Sequence, residues 1–515
     1  MPRTLTARVS HGLVRIRARR CGDEAGAVRL RDDIVFDADH TGAPGLRMPA
    51  QEDRVAIDPV VVKDVVIVLP GIMGSELVDG DDRPLWSFSP GGLAQAVKAV
   101  LKDERLTLPH HIGDDAPGDG VRASRLLRSL HVIPGLWSPV TGYGGLMSFL
   151  GVNPRFQLIE ADPGEPDRIP NLIPFPYDWR LSCRYNARRL KEMAEPALER
   201  WRRQPGCGDA KLVLLCHSMG GLIARWYAER EGGAGLIRDI ITLGTPHQGS
   251  VKALTALVNG LGPSLGPLHW PLASLGRLTR SLPSLYQLLP QYKCWAQGPE
   301  RVTLAEAGDL GLDRRMLEDA DAFHEGIKVQ AASCAYKLHK FVGTRQPTPT
   351  TARWAGDRIE ALEEIDGMRQ GGDGTVSRLA ATPEDDYEDN VTETPGQHGE
   401  LQGVEAMMDQ VESVLTRRSV VRKSGRQTGF GIRMEEVFWA GQQPMLEVAD
   451  AGDHRLYLTL TDELGRIVES TNKQPIDDHR RVLLPDLPEG GYRATVEGAP
   501  GGPEPISKPF MVLKP

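Results

Sequence analysis

Three stretches of this chain share one grammar: an unbroken run of β-branched and aliphatic residues that stops abruptly in a loop rich in Gly, Ser or Pro. They are VVIVLPGIMGS (65–75), KLVLLCHSMGG (211–221) and RDIITLGTPHQGS (238–250). A strand that is apolar at every position must be covered on both faces, which is the habit of parallel sheets. NLIPFPYDWR (171–180) reads as a further short strand end, and residues 185–203 and 220–230 carry helical periodicity between the strands. Strand alternating with helix implies an α/β fold, a mostly parallel sheet with helices on both faces. In such sheets ligands bind beyond the carboxyl ends of the strands. The loops PGIMGS, HSMGG and GTPHQGS are therefore where chemistry is expected.

HSMGG nearly completes G-x-S-x-G, the strand-to-helix turn that lifts a nucleophilic serine out of an α/β-hydrolase sheet. Ser218 occupies the nucleophile position, Gly220 and Gly221 supply the small residues after it, and Cys216 stands where the first glycine belongs. A thiol is far smaller than a leucine or aromatic side chain, so the turn is crowded rather than forbidden. Cys216 itself ends a buried strand, where burial raises a thiol's pKa and makes it inert.

A serine hydroxyl needs a histidine to take its proton, and the histidine needs a carboxylate to fix its tautomer. The order serine, acid, histidine is met by Asp373 in GGDGTVS and His398 in TPGQHGELQG. His398 stands just before an amphipathic stretch. His247 precedes the acid and is read as a structural or site-rim residue. The oxyanion hole requires backbone donors. Met219 follows the nucleophile, and Ile72 follows Gly71 in the first loop, so their N–H groups are the candidates.

The domain reading runs from an irregular N-terminal arm (1–60) to an α/β-hydrolase domain (61–418). That domain carries insertions near 81–145 and 251–325. The leucine-rich, Gly/Pro-broken segment 251–295 reads either as packed surface helices or as an apolar cap that touches lipid surfaces transiently. EDDYEDNVTETPGQ (384–397) reads as an acidic loop, and RSVVRKSGRQTGFG as a linker. After residue 430 the period changes to two, as in RLYLTLTDELGRIVES and GYRATVEG, which predicts a small all-β sandwich over 430–515.

A net charge of −8 gives no general reason to expect nucleic acid as a partner. No apolar run approaches the roughly 20 residues that span a bilayer, and no signal-peptide pattern opens the chain. The six cysteines are scattered, with no C-x-x-C pair, which argues against a zinc site or disulfide framework and for a cytoplasmic setting.

Taken together, PGIMGSEL, PYDWR, CHSMGG, TLGTPHQGS, GGDGTV and the histidine before a helix resemble the lecithin:cholesterol acyltransferase family of α/β-hydrolases. All six fall in the family's order over roughly residues 62–416. PYDWR is the most telling, and its own chemistry suggests a fold-stabilising contact between Asp178 and Arg180. The resemblance implies Ser218 as nucleophile, Asp373 as orienting carboxylate and His398 as base, with the Ile72 and Met219 amides as oxyanion hole. It implies acyl transfer from a phospholipid-type ester to water or an alcohol, with no metal or other cofactor. Two further readings remain open: a general carboxylesterase or lipid-anchor deacylase, and an inactive hydrolase fold kept for binding. The segment after residue 430 lies outside the resemblance, and its partner is not specified by its residues.

Overall fold

The computed structural model describes residues 4–9, 12–17 and 61–514, less several internal stretches. The longer of these are 88–103, 129–141, 261–269, 329–334, 385–390 and 419–428; the shorter are 154–155, 157, 162–164, 166, 469–470, 478–479 and 501. Much of the arm, both insertions' middles and most of the linker thus lie outside the described residues. The first 42 residues form a unit of their own. Within it, Thr4–Val9 and Gly12–Arg17 pair as an antiparallel hairpin, where an irregular arm was expected.

The main sheet has six strands: β1 (Val65–Leu69), β2 (Leu172–Pro174), β3 (Leu212–His217), β4 (Ile237–Leu243), β5 (Lys337–Gly343) and β6 (Val391–Thr394). Their spatial order is β6-β5-β4-β3-β1-β2. Every neighbouring pair is parallel.

Alternation along the strands divides the core into two layers. Val65, Ile67, Leu69, Leu212, Leu214 and Cys216 face one side, where helices α2 (Cys183–Arg202), α3 (Gly220–Arg230) and α4 (Val251–Asn259) pack. Val66, Val68, Val213 and Leu215 face the other, covered by α1 (Gly144–Val152) and α7 (Glu405–Thr416). Helices α5 (Trp270–Ser281) and α6 (Arg314–Gly326), with a single helical turn at Pro283–Tyr286 between them, lie in the segment that the sequence reading expects to be the second insertion. Each fully buried Val or Leu contributes about 1.5–3 kcal/mol relative to exposure, so a doubly covered sheet is the main source of stability here. No described helix is long and apolar enough to cross a membrane.

β5 and β6 have no counterpart in the sequence reading. β6 falls inside the stretch read as acidic loop, and its burial alternates weakly because it is an edge strand carrying Thr and Glu. Such a strand buries too little apolar surface to announce itself.

The C-terminal segment is all β. Gly431–Arg433, Met445–Ala449 and Arg481–Leu483 form one sheet. Val437–Trp439, Leu456–Asp462, Gln474–Pro475, Gly490–Gly498 and Ile506–Leu513 form the second. Phe430, Leu446, Leu458, Ala494 and Phe510 make a separate core. Val437, Met511 and Leu513, by contrast, join the core of the main domain. Glu436 adds a polar anchor, 2.7 Å from Lys252 Nζ on α4 and 3.3 Å from Lys508 Nζ. The sandwich is thus packed onto the main domain, not tethered loosely beside it.

Candidate active site

The turn from β3 into α3 holds Ser218 at φ 51°, a left-handed conformation that L side chains avoid. Three bonds hold it there. Its N–H donates to the Leu243 carbonyl at 2.9 Å, and its carbonyl accepts from Gly221 N (3.1 Å) and Thr245 Oγ1 (2.8 Å). Space is as tight as the strain suggests. A Cβ at Gly220 would lie 2.7 Å from the Pro70 carbonyl oxygen, and one at Gly71 would lie 2.9 Å from Ser218 Cβ. The loop after β1 therefore presses directly against the turn after β3.

His398 Nε2 lies 2.9 Å from Ser218 Oγ, and His398 Nδ1 lies 2.7 Å from Asp373 Oδ2. The other carboxylate oxygen of Asp373 receives the N–H groups of Thr375 (2.9 Å) and Val376 (2.7 Å). A carboxylate only accepts, so Nδ1 carries the imidazole proton and Nε2 presents its lone pair to the serine hydroxyl. All three side chains are buried. The structure brings together the three residues that the order of motifs singled out, in a geometry able to move a proton from serine to histidine.

The amides of Ile72 and Met219 sit on the two loops that flank Ser218. Gly71 N–H is already taken by the Tyr143 hydroxyl oxygen at 2.7 Å. Neither the Ile72 nor the Met219 N–H donates to another backbone group among the described residues. Met219 also precedes α3, where the helix N-terminus favours negative charge.

Sequence reasoning missed a polar chain behind the site. Tyr143 Oη lies 2.8 Å from His217 Nδ1, and His217 Nε2 lies 2.9 Å from the His398 carbonyl oxygen. A carbonyl cannot donate, so Nε2 of His217 bears the proton and Nδ1 accepts from Tyr143. The chain ties the loop after β1 to the backbone of His398. PYDWR braces the same loop from the other side. Tyr177 Oη donates to the Pro70 carbonyl at 2.8 Å, and Ser75 Oγ receives Tyr177 N–H at 3.0 Å. Asp178 and Arg180 meet as expected, Arg180 NH2 standing 2.7 Å from Asp178 Oδ2 with its guanidinium buried.

Gln346 was also missed. It is buried, and all of its amide hydrogen-bonding positions are used. Its Nε2 donates to the carbonyls of Pro395 (2.5 Å) and Phe430 (3.2 Å). Its Oε1 accepts from Gln397 Nε2 (2.6 Å) and Ile432 N (3.0 Å), while its own N–H donates to Gly372 O at 2.9 Å. Gly372, Gln397 and Phe430 belong respectively to the Asp373 loop, the His398 loop and the start of the β sandwich. Gln346→Ala is expected to lower kcat by about ten- to a hundredfold with little change in KM, because a small displacement of the base is costly. Steady-state kinetics check this, and an unchanged kcat would mean the loops hold His398 without it.

His247 is buried and stands 3.4 Å, by its Nε2, from Thr242 Oγ1. Burial, with Arg225 and Lys340 nearby, holds its pKa well below the usual histidine range. It is a neutral buried residue outside the Ser218–His398–Asp373 array. Cys216 lies in the α3-side core, where burial pushes its thiol well above the ordinary range. Cys216→Ala is expected to keep ester turnover within about threefold and to cost about 1 kcal/mol of stability. Parallel activity and thermal-melting measurements test this; loss of turnover in a folded variant would give the thiol a role.

Residues 166–328 match the profile of the lecithin:cholesterol acyltransferase family. No curated protein matches the chain. Among solved structures, one chain of the Tle4–Tli4 complex is 14% identical, covers 71% of this chain and 100% of its own, and has a TM-score of 0.46. The mature lipase BlEst2 of Bacillus licheniformis is 14% identical over 70% of this chain and 96% of its own, with a TM-score of 0.30. Phospholipase PlaB from Legionella pneumophila is 11% identical over 75% of this chain and 91% of its own, with a TM-score of 0.24. These are distant likenesses.

Proposed function

We propose that this chain, a member of the lecithin:cholesterol acyltransferase family through residues 166–328, is a serine-dependent acyl hydrolase or O-acyltransferase of phospholipid-type esters. The observation that carries this reading is the continuous hydrogen-bonded line from Ser218 Oγ through His398 to Asp373, at 2.9 and 2.7 Å.

In the first half-reaction Ser218 Oγ attacks the ester carbonyl carbon while its proton passes to His398 Nε2. Asp373 stabilises the imidazolium that forms and holds the ring in place. The Ile72 and Met219 amides receive the developing oxyanion, each donor contributing on the order of 3 kcal/mol. Collapse of the tetrahedral intermediate breaks the bond to the alcohol portion of the lipid, which leaves with the proton from His398. The acyl-enzyme is then attacked by water or by an acceptor alcohol, whose proton follows the same route back.

Apart from the ester and the accepting water or alcohol, each step is carried by the chain's own residues. The family match over residues 166–328 supports a lipid ester as the acyl donor. Incubation with phosphatidylcholine vesicles and, separately, with a short soluble ester tests it. Release of fatty acid or formation of a new ester from the vesicles, at a rate that rises with the lipid interface, is the expected result. Turnover of the soluble ester alone would reassign the enzyme as a general carboxylesterase.

A further inference from the structure

Among the described residues outside the Ser218 site, one cluster of ligand-bearing side chains joins the two insertions. His110 and His111 come from the first insertion, and Asp313 caps α6 in the second. One ring nitrogen of each histidine and one carboxylate oxygen of Asp313 all lie within 4.8 Å of one another.

Three features make this more than proximity. In an extended chain adjacent side chains point apart, but His111 adopts φ 58° and the two imidazole rings stand 5.4 Å apart. Asp313 is already fixed, since its Oδ1 accepts the N–H groups of Arg315 (2.9 Å) and Met316 (3.2 Å) at the start of α6. Its second oxygen, Oδ2, is the one that faces His111 Nδ1, at 3.7 Å. That separation is long for a hydrogen bond yet near the roughly 3.3 Å expected between two ligands of a tetrahedral zinc ion. Small side-chain rotations close the difference, because His110 and His111 are exposed.

The chemistry of the donors selects the ion. Two neutral imidazoles and a carboxylate suit zinc and its first-row neighbours, whereas magnesium and calcium demand mostly oxygen. Three protein ligands leave a fourth position for water. The joint itself gives the ion something to do. Among the described contacts between the insertions are a Leu108 N–H to Ser281 Oγ bond of 3.1 Å and a shared cavity of about 510 Å³ with Arg105, Asp119 and Arg277 in its wall.

We propose that His110, His111 and Asp313 form a binding site for one divalent transition-metal ion, zinc being the best match, that clips the two insertions together. The site contains none of the residues assigned to acyl transfer and stands independently of that reading.

The test is calorimetric titration of zinc chloride into the full-length, chelator-stripped protein, with thermal melts alongside. Wild type should bind zinc stoichiometrically and gain a few degrees in Tm. The His110→Ala/His111→Ala double variant and Asp313→Asn should each bind at least about tenfold more weakly and lose the Tm gain. Asn keeps an oxygen for the helix cap, and the two histidines are exposed, so metal-free melting should be unchanged in both. Absence of zinc binding by wild type would overturn the proposal, as would full-strength binding by the double variant.

Discussion

Ser218→Ala is expected to cut ester turnover by about 10⁵-fold or more while leaving the melting temperature close to that of wild type. The serine hydroxyl is the only group in the array able to form the ester bond of an acyl-enzyme. His398 Nε2 at 2.9 Å would then face a methyl group. The three backbone bonds that hold φ at 51° involve the main chain and Thr245, not the serine hydroxyl, so the turn should survive. Residual activity would reflect what the oxyanion donors and binding achieve with water as nucleophile. Turnover assays on purified protein, with circular dichroism as the fold control, measure both halves of the expectation. Retention of more than about a hundredth of the activity in the folded variant would remove Ser218 from the mechanism.

The second large effect belongs to Asp373→Asn, expected to lower kcat by about 10⁴-fold with a nearly normal fold. The reason lies in the two oxygens' different duties. Oδ1 accepts from Thr375 and Val376 N–H, and those amides can be satisfied only by an oxygen. Asparagine therefore keeps its oxygen there and turns its NH₂ towards His398 Nδ1, which accepted no proton in the native pair. Donation into Nδ1 forces the proton onto Nε2, and the lone pair that faces Ser218 disappears. The loss should fall on kcat, not on KM, and should ease little with rising pH, since the tautomer is wrong rather than the charge. A fall of less than about tenfold would mean that Asp373 does not set the tautomer.

The parts of this architecture that were legible in sequence are those carried by local pattern. Fully buried strands such as VVIVL and LVLLCH cannot be mistaken for surface, and the order of the motifs alone groups Ser218, Asp373 and His398 as one expected site. The parts that were not legible are those made by polar residues distant in sequence. Gln346 bonds to Gln397 and Ile432, 51 and 86 positions away, and nothing in the residues around it marks a hub. The Tyr143–His217–His398 chain and the His110–His111–Asp313 cluster are of the same kind. The edge strand Val391–Thr394 was hidden for a different reason, since its partner on β5 supplies the order that its own composition lacks.

PYDWR shows both behaviours at once. The Asp178–Arg180 pair follows from two residues of opposite charge two positions apart. The support that Tyr177 gives Pro70, 107 positions away, does not. That support matters to the chemistry because Pro70 and Gly71 lead directly into Ile72, the residue whose amide is assigned to the oxyanion.

The central claim is that Ser218 forms a covalent bond with the acyl group, and reaction with a fluorophosphonate followed by mass analysis of the peptides tests it most directly. The account predicts one adduct, on the peptide containing Ser218, formed far more slowly in Asp373→Asn and absent from Ser218→Ala. No adduct on folded wild-type protein, or an adduct that persists at another residue when Ser218 is replaced, would contradict it.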